Sequence, residues 1–282
     1  MGIRFIAAAC LFLIAGSTSA QGVFKFQLNA GDKLQYRSQF ECRVETKTEG
    51  ATQVSSSKLG QIREWRVVAV DKLGVATMEL SVLRMTLDRT DPDGKKLLFD
   101  SASKETSDEQ LWKQLSKAVG QPILRVQMSA NGVLKESKNL GEVKSVFHEL
   151  PFQVTVPDEY PRKGLKWQRE FAVSAEAMLG KGDAFKALQI CEVEQATEDR
   201  MVVRSKTQFE KAPTDVSAKI ALAQFTPTGT VTLDLRRSLM LESDMSVRAE
   251  APDFDGPGTN YLYISRSVEK LMDKRLEAAS KE

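Results

Sequence analysis

The sequence predicts an α+β protein, mostly antiparallel β: a long curved sheet of roughly a dozen strands with about three packing helices. Three observations predict it. Leu34 to Thr46 alternates apolar and polar residues with period two, turn signals recur between the later apolar runs, and only three segments carry a helical period. In the first segment Leu34, Tyr36, Phe40, Cys42 and Val44 share one face, while Gln35, Arg37, Gln39, Glu41, Arg43 and Glu45 share the other. One face in the core and one in water favours antiparallel pairing, because parallel strands are usually covered on both sides.

In chain order, Met1 to Ala20 has the three-part layout of a secretory signal peptide: Arg4, an apolar stretch from Phe5 to Ala15, then small residues ending at Ala20. The apolar stretch is too short to cross a hydrocarbon core of about 30 Å as a helix. The expectation is an exported chain, periplasmic or extracellular, with residues 21–282 forming a β-rich domain and no transmembrane segment after cleavage.

Phe24 to Leu28 reads as a short strand entering the Gly31-Asp32-Lys33 corner. Ile62 to Val70 and Val75 to Leu87 form a hairpin about Asp71 to Gly74, where glycine supplies a positive φ. The turn Asp91 to Gly94 precedes a short strand, Leu97 to Phe99. Ser107 and Gln110 have the spacing of a capping box before Leu111, Leu115 and Val119, with Gly120 and Pro122 as the stop. Ile123 to Met128 and Val133 to Glu136 flank Asn131-Gly132, a strong hairpin signal. A second helix is predicted over Val143 to Leu150. Leu150 to Pro161 is a proline-rich extended crossing. Strands follow at Leu165 to Val173, Phe185 to Val193, Met201 to Phe209, Thr230 to Leu235, Leu239 to Val247 and Tyr261 to Ser265. A third helix is predicted from Ser267 to Ala278, with Val268, Leu271, Met272 and Arg275 on one side. Gly31 to Gln35 echoes Gly164 to Gln168. Either this marks two related halves, about 21–150 and 151–282, or amphipathic strands resemble each other by chance.

Composition excludes several functions. Lys plus Arg is 40 and Asp plus Glu is 38, a net charge of +2 over 282 residues, so no charge asymmetry suggests nucleic acid. A single histidine, His148, leaves one imidazole and no G-x-S-x-G elbow for it to serve. No phosphate loop occurs. The acidic turns at Asp91 and Asp253 fail the calcium-loop register, because Arg89 and Ala251 would occupy the first ligand position. Acidic residues alternate with Lys and Arg along strands, a pattern that cross-strand pairing explains. No catalytic, cofactor-binding or metal-ligating residue is assigned. With Cys10 in the leader, Cys42 and Cys191 remain. They are a candidate disulfide in an oxidising compartment, or else two buried thiols.

The opening Phe24-x-Phe26-x-Leu28-x-x-Gly31-Asp32-Lys33-Leu34-x-Tyr36, the Gly74 to Thr77 hairpin and Asn131-Gly132-Val133 form part of a wider pattern. It continues through the Leu150-Pro151 to Gly164-x-x-Trp167 passage and Gly229-Thr230-x-x-x-Asp234. Together they resemble an uncharacterised family of exported β-rich bacterial proteins of planctomycete type, a domain of unknown function. In topology alone the chain is also similar to periplasmic lipoprotein-carrier folds. These resemblances imply no catalytic residues. Three functions follow as expectations. The first is a non-enzymatic exported protein that binds or carries a lipid or other apolar ligand on its curved sheet. The second is a structural or protein-interaction component of the cell envelope. The third and least supported is an acid-based hydrolase.

Overall fold

A computed structural model describes residues 22–141, 151–174, 184–211 and 213–272. Twelve strands join in one open antiparallel sheet. They are β1 (Lys33–Thr48), β2 (Ala51–Val70), β3 (Ala76–Thr90), β4 (Lys96–Asp100), β5 (Pro122–Met128), β6 (Leu134–Asn139), β7 (Lys166–Ser174), β8 (Ala184–Ala196), β9 (Arg200–Phe209), β10 (Thr228–Asp234), β11 (Leu239–Pro252) and β12 (Asn260–Leu271). The spatial order is β6-β5-β3-β2-β1-β12-β11-β10-β9-β8-β7, with β4 beside β3. Two meanders, one from each end of the chain, therefore meet at a central β1–β12 seam. The Gly31 turn opens the central strand and the Gly164 turn opens the outermost one, each with positive φ.

Flat, this sheet would hold its edge strands more than about 40 Å apart. It is not flat. Val156 N–H donates to Asn131 O in the β5–β6 turn, while the adjacent Thr155 O accepts from Trp167 Nε1 on β7 (2.9 and 2.7 Å). Two neighbouring residues of the proline-rich crossing thus tie the two edges together, so the sheet curls around them. The inner face at this end is a continuous core of Tyr36, Trp65, Met78, Val126, Val203 and Leu233, drawn from both meanders. Phe24, Phe26, Phe152 and Val154 fill its interior, and Phe26 stacks on Phe152 with ring centroids 4.5 Å apart. Gly132 has φ 82°, and a Cβ there would meet Phe26 and Val154 O at 2.9 Å, so the Asn131-Gly132 turn is glycine for both conformation and room.

On the outer face, cross-strand charge pairing holds the ribbons, as the alternation suggests. Glu79 is 4% exposed and lies between Arg66 on β2 and Arg125 on β5, at 2.6 and 2.5 Å. Hydrogen bonds from Arg66 and then Arg125 keep its carboxyl below the usual carboxylate range. Arg266 makes a two-point contact with Asp244 across β12–β11 (2.9 and 2.6 Å).

The helical part of the predicted fold class is corrected. Among the described residues there are two short α-helices, α1 (Glu109–Leu115) and α2 (Val216–Leu222), each running on into a single 3₁₀ turn. Among the described residues the sheet carries these two short helices and not about three packing ones. Helix α1 begins one residue later than the capping box implied. Asp108 Oδ1 accepts from the N–H groups of Gln110 and Leu111 (3.0 and 3.1 Å), whereas Ser107 Oγ is engaged by Asp100 N and Ser103 O. Helix α2, capped by Asp215 on Ala218 N (2.8 Å), had no counterpart in the sequence reading. Residues 267–271, expected to start the third helix, belong to β12. Their inner-facing Ser267 and Glu269 are polar, so period two was hidden and Val268, Leu271 and Met272 mimicked a helical stripe. Phe24 to Leu28 is core filling, bonded to the β5–β6 turn through Phe26 N–H and Ala130 O (2.7 Å), and is not a strand of the sheet. The signal-peptide segment 1–20, the helix over 143–150 with His148, and the remainder of the third helix over 273–278 lie outside the described residues.

Candidate functional site

Pairing registers assign every inner-face side chain to a level. One level runs unbroken through ten strands: Trp167 faces Cys191, then Ser205, Gly229, Met245, Ser267, Phe40, Leu59, Leu87 and Phe99. Below it lies the closed core. On β1, β2 and β3 the level marks a change, whereas Cys191, Ser205, Met245 and Phe99 within it are buried. Leu34, Tyr36, Trp65 and Leu80 beneath are at most 9% exposed, whereas Phe40, Leu59 and Leu87 in the level are half-buried. A depression of about 410 Å³ follows this row, taking in Phe40, Leu59, Leu87 and Phe99 and edged by Lys58 and Asp88. Helix α1 approaches β4, and α2 with its 3₁₀ turn approaches β11 and β12.

Two polar clusters interrupt the inner face. The first straddles β1. Glu269 on β12 faces Ser38 on one side and Ser243 on the other, and Arg63 on β2 faces Tyr36. Their diagonal contact is a buried ion pair, Arg63 Nη1 to Glu269 Oε1 at 3.5 Å, with side chains 12% and 4% exposed. Tyr36 donates its hydroxyl to Met240 O (3.0 Å). Burial, and then the Glu269 charge, push its phenol well above the usual tyrosine range. No nucleophile–base pair is formed by these groups.

The second cluster lies on β7–β9. Gln189 is 5% exposed and its amide is fully specified. Nε2 donates to Gln153 O of the crossing (2.9 Å) and to Ser205 Oγ (3.0 Å), and Oε1 accepts from Arg169 Nε (3.2 Å). The Arg169 guanidinium lies 4.6 Å from the centre of the Phe171 ring. Burial draws its pKa down from the ordinary arginine value. Beyond it, Phe185 and Phe209 meet edge to face at 6.2 Å.

Cys191 belongs to this second cluster and Cys42 does not. Four strands of the sheet separate β1 from β8, and both thiols are free. Cys191 Sγ lies 3.9 Å from Ser205 Oγ, and burial pushes its pKa up to about 11. Cys42 sits beside Tyr263, and burial raises it too. Cys191 is buried and Cys42 is half-buried. The acidic turns are closed on themselves: Asp93 Oδ1 accepts from Lys95 N (3.1 Å) and Asp253 Oδ1 from Gly258 N (2.8 Å). No group of three or more metal-ligating side chains occurs among the described residues. The sequence reading missed the Arg63–Glu269 pair and Gln189–Arg169. The one available signal was charge or amide at inward positions of strands already assigned, as at Arg169 and Gln189.

No family model matches the chain, and no curated protein matches it. The resemblance to a planctomycete-type family is therefore without support. Among solved structures, the chain is similar over 88% of its length to lipovitellin, in a structure concerned with lipid–protein interactions. The identity is 12% and the TM-score 0.45, and the chain spans 25% of that chain. It is also similar to DynF of the dynemicin biosynthesis pathway of Micromonospora chersina. There 92% of this chain and 89% of that chain are covered at 9% identity, with a TM-score of 0.23. A third likeness is to the Pseudomonas aeruginosa MucA/MucB complex, covering 83% of this chain and 89% of that chain at 9% identity, with a TM-score of 0.14. None of these likenesses carries an argument about what this chain does. No helix among the described residues is long and apolar enough to cross a membrane, which leaves β-barrel insertion unaddressed.

Proposed function

We propose that this is an exported, non-enzymatic binding protein that holds an apolar ligand on the inner face of its curled sheet. The observation that carries the reading is the half-buried row Phe40, Leu59 and Leu87 with its 410 Å³ depression, directly above a core packed shut. A protein that only needed a core would gain by burying those side chains, each worth about 1.5–3 kcal/mol when fully covered. Left half-open on three adjacent strands, they form a surface for something else to cover. The test is binding of the neutral probe 1-aminoanthracene, with mass spectrometry of solvent extracts of the purified protein. Wild type is expected to enhance the probe's fluorescence and to release an apolar compound, and Leu59→Glu to weaken probe binding by roughly tenfold or more. Equal binding by wild type and variant, with empty extracts, would overturn the reading.

A second reading, a protein-interaction component of the envelope, is favoured by β7. It is nine residues long, pairs with β8 without a bulge, contains no proline and has one neighbour in the sheet. Such an edge is a template for an added strand. Chemical crosslinking in envelope extracts is expected to yield a defined adduct that Ala172→Lys abolishes. An unchanged adduct pattern would count against this reading.

A further inference from the structure

We infer that the ligand is an anionic amphiphile, a single apolar chain ending in a carboxylate or phosphate, whose head is read by Arg169. The inference rests on the apolar-ligand reading and adds the chemistry of the head group. Two arginines stand among buried side chains on the inner face. Arg63 has its answering charge in Glu269. Arg169 has none: among the described residues its partners are the neutral Gln189 amide and the Phe171 ring, and no carboxylate lies against it. A half-buried guanidinium without a counter-charge is costly, and its planar fork matches a carboxylate or phosphate oxygen pair.

The surroundings favour an amphiphile over a free ion. Phe171 and Trp167 flank Arg169 on the same face, two residues away on either side, and Phe185 and Phe209 continue the apolar surface. Each of these aromatic side chains is half-buried. Gln189 is held by two hydrogen bonds of its own, so it fixes Nε of Arg169 and leaves the two terminal NH2 groups to bind. Because β7 is the last strand of the sheet, the site is reached from its edge. Trp167 belongs to the same level of the inner face as Phe40, Leu59 and Leu87, though six strand steps from Phe40, so the aromatic surface around Arg169 is the one its ligand's chain would cover.

The experiment titrates the full exported protein with cis-parinaric acid and with its methyl ester, reading energy transfer from tryptophan. Dodecyl phosphate and inorganic phosphate serve as competitors. Wild type is expected to bind the acid roughly tenfold or more tighter than the ester, the scale of a charge-assisted hydrogen bond. Arg169→Gln should bring the acid down to the ester's affinity while leaving ester binding intact, and Arg169→Lys should restore part of the preference. Circular dichroism identical to wild type verifies that both variants are folded. Displacement by dodecyl phosphate but not by inorganic phosphate supports an amphiphile, and displacement by inorganic phosphate alone would overturn it in favour of a free-anion site. Equal affinity of wild type for acid and ester, or a preference that survives in Arg169→Gln, overturns the inference and leaves the apolar-ligand reading standing. If neither acid nor ester binds, both fall together.

Discussion

Replacing Glu269 by alanine is expected to destabilise the protein by about 3–5 kcal/mol, the scale for removing one member of a buried ion pair. Glu269 is 3% exposed on β12 and answers Arg63 on β2 across the intervening strand β1. Its loss removes the carboxylate that faces a guanidinium whose side chain is 12% exposed. The same contact clamps three strands around the seam where the two meanders meet, so its loss is felt by both. Urea unfolding at neutral pH measures the effect as a fall in midpoint at unchanged slope. The double variant Glu269→Met with Arg63→Met should recover most of the lost stability, because both charges of the pair then leave the interior together. A loss below about 1 kcal/mol in Glu269→Ala, within the range of an exposed pair, would mean that the site is wet.

The second large effect is expected at Gly229. A Cβ there would lie 1.9 Å from Asp244 O and 2.8 Å from Met245 Cα, both backbone atoms of the neighbouring strand β11. A flexible side chain could swing away, but a ladder of paired backbone cannot. Strands β10 and β11 would have to part where Thr228, Gly229 and Thr230 pair with Ser246, Met245 and Asp244. Gly229→Ala is therefore expected to cost about 3 kcal/mol, the upper end for an overpacked methyl group. Gly22→Ala, with nothing within 4 Å of the added atom, is the neutral control. Calorimetric melting of the two variants should separate them clearly, and equal melting temperatures would show that β10 pairs with β11 in some other way.

Much of the sheet was legible because burial imposed period two on it. Leu34 to Val44 alternates so cleanly that strand, face and antiparallel sense all follow. Where the inward positions are polar the signal fades. Strand β2 begins at Ala51, eleven residues ahead of the predicted Ile62, because Ser55 and Ser57 occupy inner positions opposite Val44 and Cys42. Ser265, Ser267 and Glu269 did the same to β12, and there a false helical stripe replaced the lost alternation. Helix α2, no shorter than α1, escaped because it buries a single i, i+4 pair, Ala218 and Leu222, too little to establish a period. The candidate site was the least legible part. Arg169, Gln189, Arg63 and Glu269 are ordinary strand residues until the registers place them on one face; Arg169 and Gln189 are 20 positions apart in sequence, Arg63 and Glu269 206. The proline-rich crossing, expected to be extended, turns at Gln153, where φ is 64°. That it joins two edges of a single sheet is a fact of the fold and of no local pattern.

The pairing of β1 with β12 also dictates when this molecule can become itself. Among the described strands, the first made finds its second neighbour only in the last, more than two hundred residues downstream. Until β12 has been made, a sixteen-residue ribbon with half its backbone groups unanswered must wait. A chain wired in this way folds late and slowly, since its decisive contact spans the greatest loop available. Whatever escorts it before then has to shield the flank of β1.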